Sequence, residues 1–147
     1  MPKLVLPNDV LLPEVCDLLK QGSRVELMTK GNSMLPFIVG DRDSVVLIKS
    51  PMVQVGDIVL AQIHPGHFVL HRVRSMEDGR ITLQGDGNLR GTESCRPEDI
   101  CGTAIRILQP RREVDCNDPR WRRRVQRWIA LPYMVRRYYL AIYRRLI

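Results

Sequence analysis

The sequence predicts a mainly β, antiparallel domain with one helix before it and a pair of basic amphipathic helices after it. Three observations predict this. Between residues 24 and 108 the chain breaks into short runs rich in β-branched residues, the breaks fall on strong turn formers, and apolar residues recur at helical spacing only near the two ends.

The first helix is expected over residues 9–21. Asn8 or Asp9 can cap it, Val15, Leu18 and Leu19 share one face, and Gly22 can end it, with Pro13 tolerated in the first turn. Strands are expected at 24–29, 44–49, 57–63, 67–74, 80–84 and 100–108. Pro65-Gly66 can reverse the chain, Asp78-Gly79 is a strong hairpin signal, and the run Gly85-Asp86-Gly87-Asn88 permits positive φ angles. Sequential strands are therefore expected to be neighbours. Beyond Pro110 a linker leads to two helices, the first opened by Asp118-Pro119 and the second by Pro132. The organisation reads as a β domain over 1–109 and an Arg-rich helical tail over 110–147.

At 147 residues the chain is sized for one domain with one core. With two Phe, four Tyr and two Trp, aliphatic side chains must fill that core. The formal charge of +7 resides in the tail: residues 1–109 carry 12 Lys and Arg against 13 acids, and residues 110–147 carry 11 Arg against 3 acids. In the first helix of the tail Trp121, Val125, Trp128 and Ile129 oppose Arg122, Arg123, Arg124 and Arg127. In the second, Val135, Tyr138, Tyr139, Ile142 and Leu146 are accompanied by Arg136, Arg137, Arg144 and Arg145. Such helices suit an anionic membrane interface or a protein partner. Alternatively their apolar faces pack on the domain or on a second copy in a homo-oligomer. No recognised DNA-binding motif accompanies the charge, so nucleic acid is not the expected partner.

The cysteines at 16, 95, 101 and 116 form no CxxC pair, nothing at the start resembles a secretory signal, and reduced thiols in the cytoplasm are expected. The longest apolar run, residues 128–135, contains Pro132 and falls well short of the roughly 20 residues that cross a bilayer. His64, His67 and His71 look like a metal cluster. On a strand, however, residues 67 and 71 stand about 13 Å apart, too far to share an ion, so no metal is expected.

The chemistry concentrates in five segments: Gly31-Asn32-Ser33-Met34-Leu35-Pro36, Gly40-Asp41, Val55-Gly56-Asp57-Ile58-Val59, Leu70-His71-Arg72-Val73 and Gly85-Asp86-Gly87-Asn88. A serine between Gly-Asn and a proline lies where a strand ends, with its hydroxyl exposed and backbone N–H groups near an oxyanion. A serine hydroxyl is a weak nucleophile and needs a base, and imidazole, with an intrinsic pKa of about 6.5, is a competent one.

In this order the segments resemble the catalytic domain of the signal peptidase I and LexA-like superfamily, over residues 25–107. That family has a G-x-S-M-x-P box carrying the nucleophile, a G-D turn, a G-D-x-V box and then the strand bearing the base. The His-Arg-Val context is similar to the Ser-His, endoplasmic-reticulum and archaeal branch rather than the Ser-Lys one. The resemblance implies the LexA/signal peptidase-like fold, Ser33 as nucleophile with its N–H in the oxyanion hole, His71 as base and Asp86 as the carboxylate that supports it. It further implies Asn32 and Met34 at the substrate groove, and no cofactor. The family's further aspartate has Thr92 and Glu93 at its place here, which makes Glu93 the alternative support. Gly31 stands where some members have a hydroxyl. The expected activity is serine endopeptidase, acting on a leader peptide or regulatory protein, with a catalytically silent peptide-binding module of the same fold as the rival.

Overall fold

The computed structural model describes residues 3–4 and 8–147, with side chains from residue 12 onward. Its elements are β1 (Lys3–Leu4), α1 (Asn8–Lys20), β2 (Val25–Met28), β3 (Ser44–Ile48), β4 (Ile58–His64), β5 (His67–Glu77), β6 (Arg80–Gln84), β7 (Glu93–Cys95), β8 (Ile100–Gln109), β9 (Arg112–Asp115), α2 (Pro119–Ala130) and α3 (Tyr133–Leu146). The strands form one sheet in the order β1-β2-β3-β8-β4-β5-β6-β7, with β9 on β8. Pairing is antiparallel everywhere except between β1 and β2.

The six anticipated strands and three helices form, and both hairpin signals act as expected. Pro65-Gly66 joins β4 to β5. Asp78 and Gly79, at φ 50 and 75, make the β5–β6 turn. α1 ends in a Schellman motif: Gly22 takes φ 89 while its N–H and that of Ser23 donate to the carbonyls of Leu19 and Leu18. Because α1 starts at Asn8, Pro13 lies in its second turn rather than its first, and forgoes the hydrogen bond to the carbonyl four residues back.

The sheet separates two cores. The larger gathers Val15 and Leu19 of α1, Val25, Leu27, Val45, Leu47, Ile58 and Leu60 from the strands, and Leu35, Phe37 and Ile38 from the loop after β2. The smaller holds Val59, Ala61, Val73, Ile81, Leu83, Cys95 and Ile100. The boundary expected after residue 109 falls inside the β8–β9 hairpin, whose second strand lies where the sequence reads as linker. Val114, Cys116, Trp121, Val125, Trp128 and Leu140 all enter the larger core. Phe37 meets both tryptophans edge-on, at centroid distances of 5.2 and 6.3 Å. α2 starts as its sequence dictates, with the Asp118 carboxylate accepting from Arg120 N–H and Pro119 in the first turn.

Cys16, on the inner face of α1, meets Cys101 of β8 at a Cα–Cα distance of 5.1 Å, and the two form a disulfide. This corrects the expectation of four reduced thiols. The pairing joins residues 85 apart in the chain, so no spacing pattern announces it. Cys95 and Cys116 are free and buried, and burial pushes both thiols up to about 11. No helix among the described residues is long and apolar enough to cross a membrane.

Candidate active site

Ser33 sits in a loop between β2 and β3 that is clamped at its base. The Thr29 hydroxyl donates to the Asp43 carbonyl at 2.7 Å, Thr29 N–H donates to the same oxygen at 3.0 Å, and the fully buried Asp43 carboxylate accepts from Val39 N–H at 2.9 Å. Inside the clamp, Phe37 and Ile38 N–H both donate to the Met34 carbonyl, and the Leu35–Pro36 peptide is cis. Gly31 takes φ 71, and its backbone lies where a Cβ on Gly40 would be. A side chain at Gly40 would break this contact, whereas one at Gly31 would meet open space and is disfavoured by the left-handed backbone alone.

The loop carrying Asp86 approaches from below. Gly87 N–H donates to the Ser33 carbonyl at 2.8 Å. A Cβ on Gly85 would strike that carbonyl, and one on Gly87 would lie 2.9 Å from the Asn32 carbonyl and 3.0 Å from that of Leu35. Neither glycine has positive φ. The Gly-Asp-Gly run is therefore explained by close backbone approach rather than by the left-handed conformation its sequence suggests.

His71 on β5 reaches Ser33, with Nε2 3.1 Å from Oγ. Its Nδ1 lies 2.5 Å from Glu93 Oε1. The imidazole is buried and the Glu93 carboxylate 22% exposed. Strand alternation and register explain this partnership. Val69 and Val73 point to the smaller core, so His71 between them shares that face. Val73 pairs with Leu83 on β6, and Leu83 pairs with Glu93 on β7, which sets Glu93 on the same face two strands away.

Asp86 does not support His71. Its carboxylate takes two hydrogen bonds from Arg72, at 2.8 and 2.7 Å, and both side chains are almost fully buried. Arg72 is one residue from His71, so the pleat sends it to the opposite face, where it also donates to the Gly56 carbonyl and lies over the Phe37 ring. Asp86 follows Arg72 to that side. The Asp86 carbonyl accepts from Trp128 Nε1 at 3.0 Å, tying the helical tail to the loop under Ser33. Asp57 of the third segment is likewise structural, accepting from Gln54 N–H and from Arg122 of α2.

A cavity of about 210 Å³ opens beside Ser33 and His71. Met28, Lys30, Met34, Phe68 and Leu70 line it, and Leu12 of α1 closes one side. Met34 is buried, with its sulfur accepting from Asp86 N–H, whereas Asn32 is exposed and does not line the cavity. Sequence reasoning passes over Phe68 and Leu12; the continuous apolar run Phe68-Val69-Leu70 before His71 is the signal for the first. His64 and His67 face each other at the β4–β5 hairpin, at a centroid distance of 6.2 Å, while His71 is committed to Ser33 and Glu93. In comparisons with known proteins, the chain matches no family model and no curated sequence.

Proposed function

We propose that the protein is a serine endopeptidase of the signal peptidase I and LexA-like kind, in its Ser-His branch and with the corresponding β fold, and that it cleaves an extended peptide or protein segment. The observation that carries this reading is the continuous chain from Glu93 Oε1 to His71 Nδ1 and from His71 Nε2 to Ser33 Oγ, at 2.5 and 3.1 Å. Nothing in the packing of the core calls for a serine, an imidazole and a carboxylate in line at the edge of a cavity.

Glu93 accepts from Nδ1–H and thereby leaves Nε2 as the free base directed at Ser33. Ser33 Oγ attacks the peptide carbonyl carbon as its proton passes to Nε2. Negative charge gathers on the carbonyl oxygen, where Ser33 N–H donates. The imidazolium, stabilised by Glu93, then returns the proton to the leaving amine as the C–N bond breaks. Water, deprotonated by His71, releases the acyl group from Ser33. No cofactor enters these steps. The apolar lining from Met34, Phe68 and Leu70 holds the residues beside the cleaved bond, and the family resemblance favours small side chains there.

The test is mass spectrometry of a diverse peptide mixture incubated with wild type, Ser33→Ala and His71→Ala. Specific cuts by wild type are expected, with either substitution lowering the rate by on the order of a millionfold. Identical peptide profiles from all three proteins would overturn the reading in favour of a silent peptide-binding module.

A further inference from the structure

The two basic helices have similar compositions and opposite dispositions. α2 buries Trp121, Val125 and Trp128 and turns Arg120, Arg123, Arg124 and Arg127 to solvent, as a surface helix of a water-soluble domain should. α3 buries Leu140 alone, with Tyr133, Arg136 and Tyr143 half-buried beside it. Its large apolar residues point the other way: Met134 is 51% exposed, Val135 47%, Tyr138 67%, Ile142 60% and Leu146 78%. At about 100° per residue these five span an arc of roughly 120° centred opposite Leu140. Arg145 lies within that arc, Arg137 and Arg144 lie on one flank, and all three are exposed. No Asp or Glu occurs from residue 119 to the end.

We propose that this outward face of α3 docks on an anionic phospholipid surface. Charge complementarity selects the occupant. A second copy would present the same carboxylate-free, arginine-flanked ridge and repel it. The face is a convex apolar ridge rather than a groove that a partner's side chain would fill. Lying in the plane of a bilayer, it inserts Val135, Ile142 and Leu146 among the upper acyl chains and sets Tyr138 at the headgroup boundary, while Arg137, Arg144 and Arg145 meet phosphates. This inference stands on the α3 face and is independent of the peptidase reading.

The experiment is co-sedimentation of the full chain with vesicles of phosphatidylcholine alone and of phosphatidylcholine mixed with phosphatidylglycerol. The protein is expected to sediment with the mixed vesicles only, and less so at high salt. Tyr138→Ser combined with Ile142→Ser is expected to abolish binding, and Arg137→Gln and Arg144→Gln to weaken it about fivefold each. These side chains are exposed, so circular dichroism and melting should be unchanged and loss of binding is not confused with unfolding. The proposal is overturned if mixed vesicles do not sediment the protein, if neutral vesicles do so equally, or if the variants bind as wild type. It is likewise overturned if sedimentation velocity without lipid shows a dimer that the Tyr138 and Ile142 substitutions dissociate.

Discussion

His71 and Arg72 are neighbours on one strand and each holds a carboxylate, but the two pairs serve different ends. The His71–Glu93 pair faces a cavity and ends at a serine hydroxyl, with its carboxylate partly in water. The Arg72–Asp86 pair is sealed on the other face under Phe37 and Trp128, doubly hydrogen-bonded and almost inaccessible. A one-residue step along the pleat separates chemistry from architecture. The second pair also serves the first, because the loop that carries Asp86 holds the Ser33 carbonyl through Gly87 N–H.

Substitutions should split the two pairs cleanly. Among substitutions of the two carboxylates and their supports, the largest effect is expected at Glu93→Gln, which keeps the shape but can favour the wrong imidazole tautomer. Turnover of a cleaved peptide should fall by about ten-thousand-fold, with the melting temperature little changed. Asp86→Ala should act on the fold, because it strands a buried guanidinium. Chemical denaturation should show a loss of ~3–5 kcal/mol. Trp128→Phe removes the donor to the Asp86 carbonyl and leaves a buried acceptor unsatisfied, at about 1–3 kcal/mol in the same assay. The smallest effect is the absence of one: Cys95 and Cys116 should resist iodoacetamide at pH 8 in the folded protein, because thiols pushed up to about 11 carry roughly one thiolate per thousand there. Their neutral forms are favoured by burial, so the stability they contribute is fully present below the ordinary thiol value of 9.0 and is lost as pH rises through about 11.

Much of this architecture was legible from the chain because it is written in local chemistry. Short runs rich in β-branched residues marked the major strands, Pro65-Gly66 and Asp78-Gly79 marked their reversals, and Asp118-Pro119 marked the start of α2. The pairing of Ser33 with His71 was anticipated through the resemblance carried by the five ordered segments, not through local chemistry alone, and the 3.1 Å contact between them agrees with it. What depends on register across several strands was not. Choosing Glu93 over Asp86 requires the Val73, Leu83 and Glu93 row, which exists only once β5, β6 and β7 are paired. The Cys16–Cys101 bond and the entry of Trp121 and Trp128 into the main core are likewise contacts between distant segments. In the tail, periodicity located the apolar faces of α2 and α3, but it could not distinguish the face that meets the domain from the one that meets solvent.

The most direct measurement is turnover of one cleaved peptide by Glu93→Gln and Asp86→Asn side by side, at a temperature where circular dichroism shows both folded. With Glu93 as the carboxylate behind His71, Glu93→Gln should be nearly inactive and Asp86→Asn should retain most of its turnover. Wild-type turnover in Glu93→Gln beside a folded, inactive Asp86→Asn would contradict the account and return Asp86 to the catalytic role.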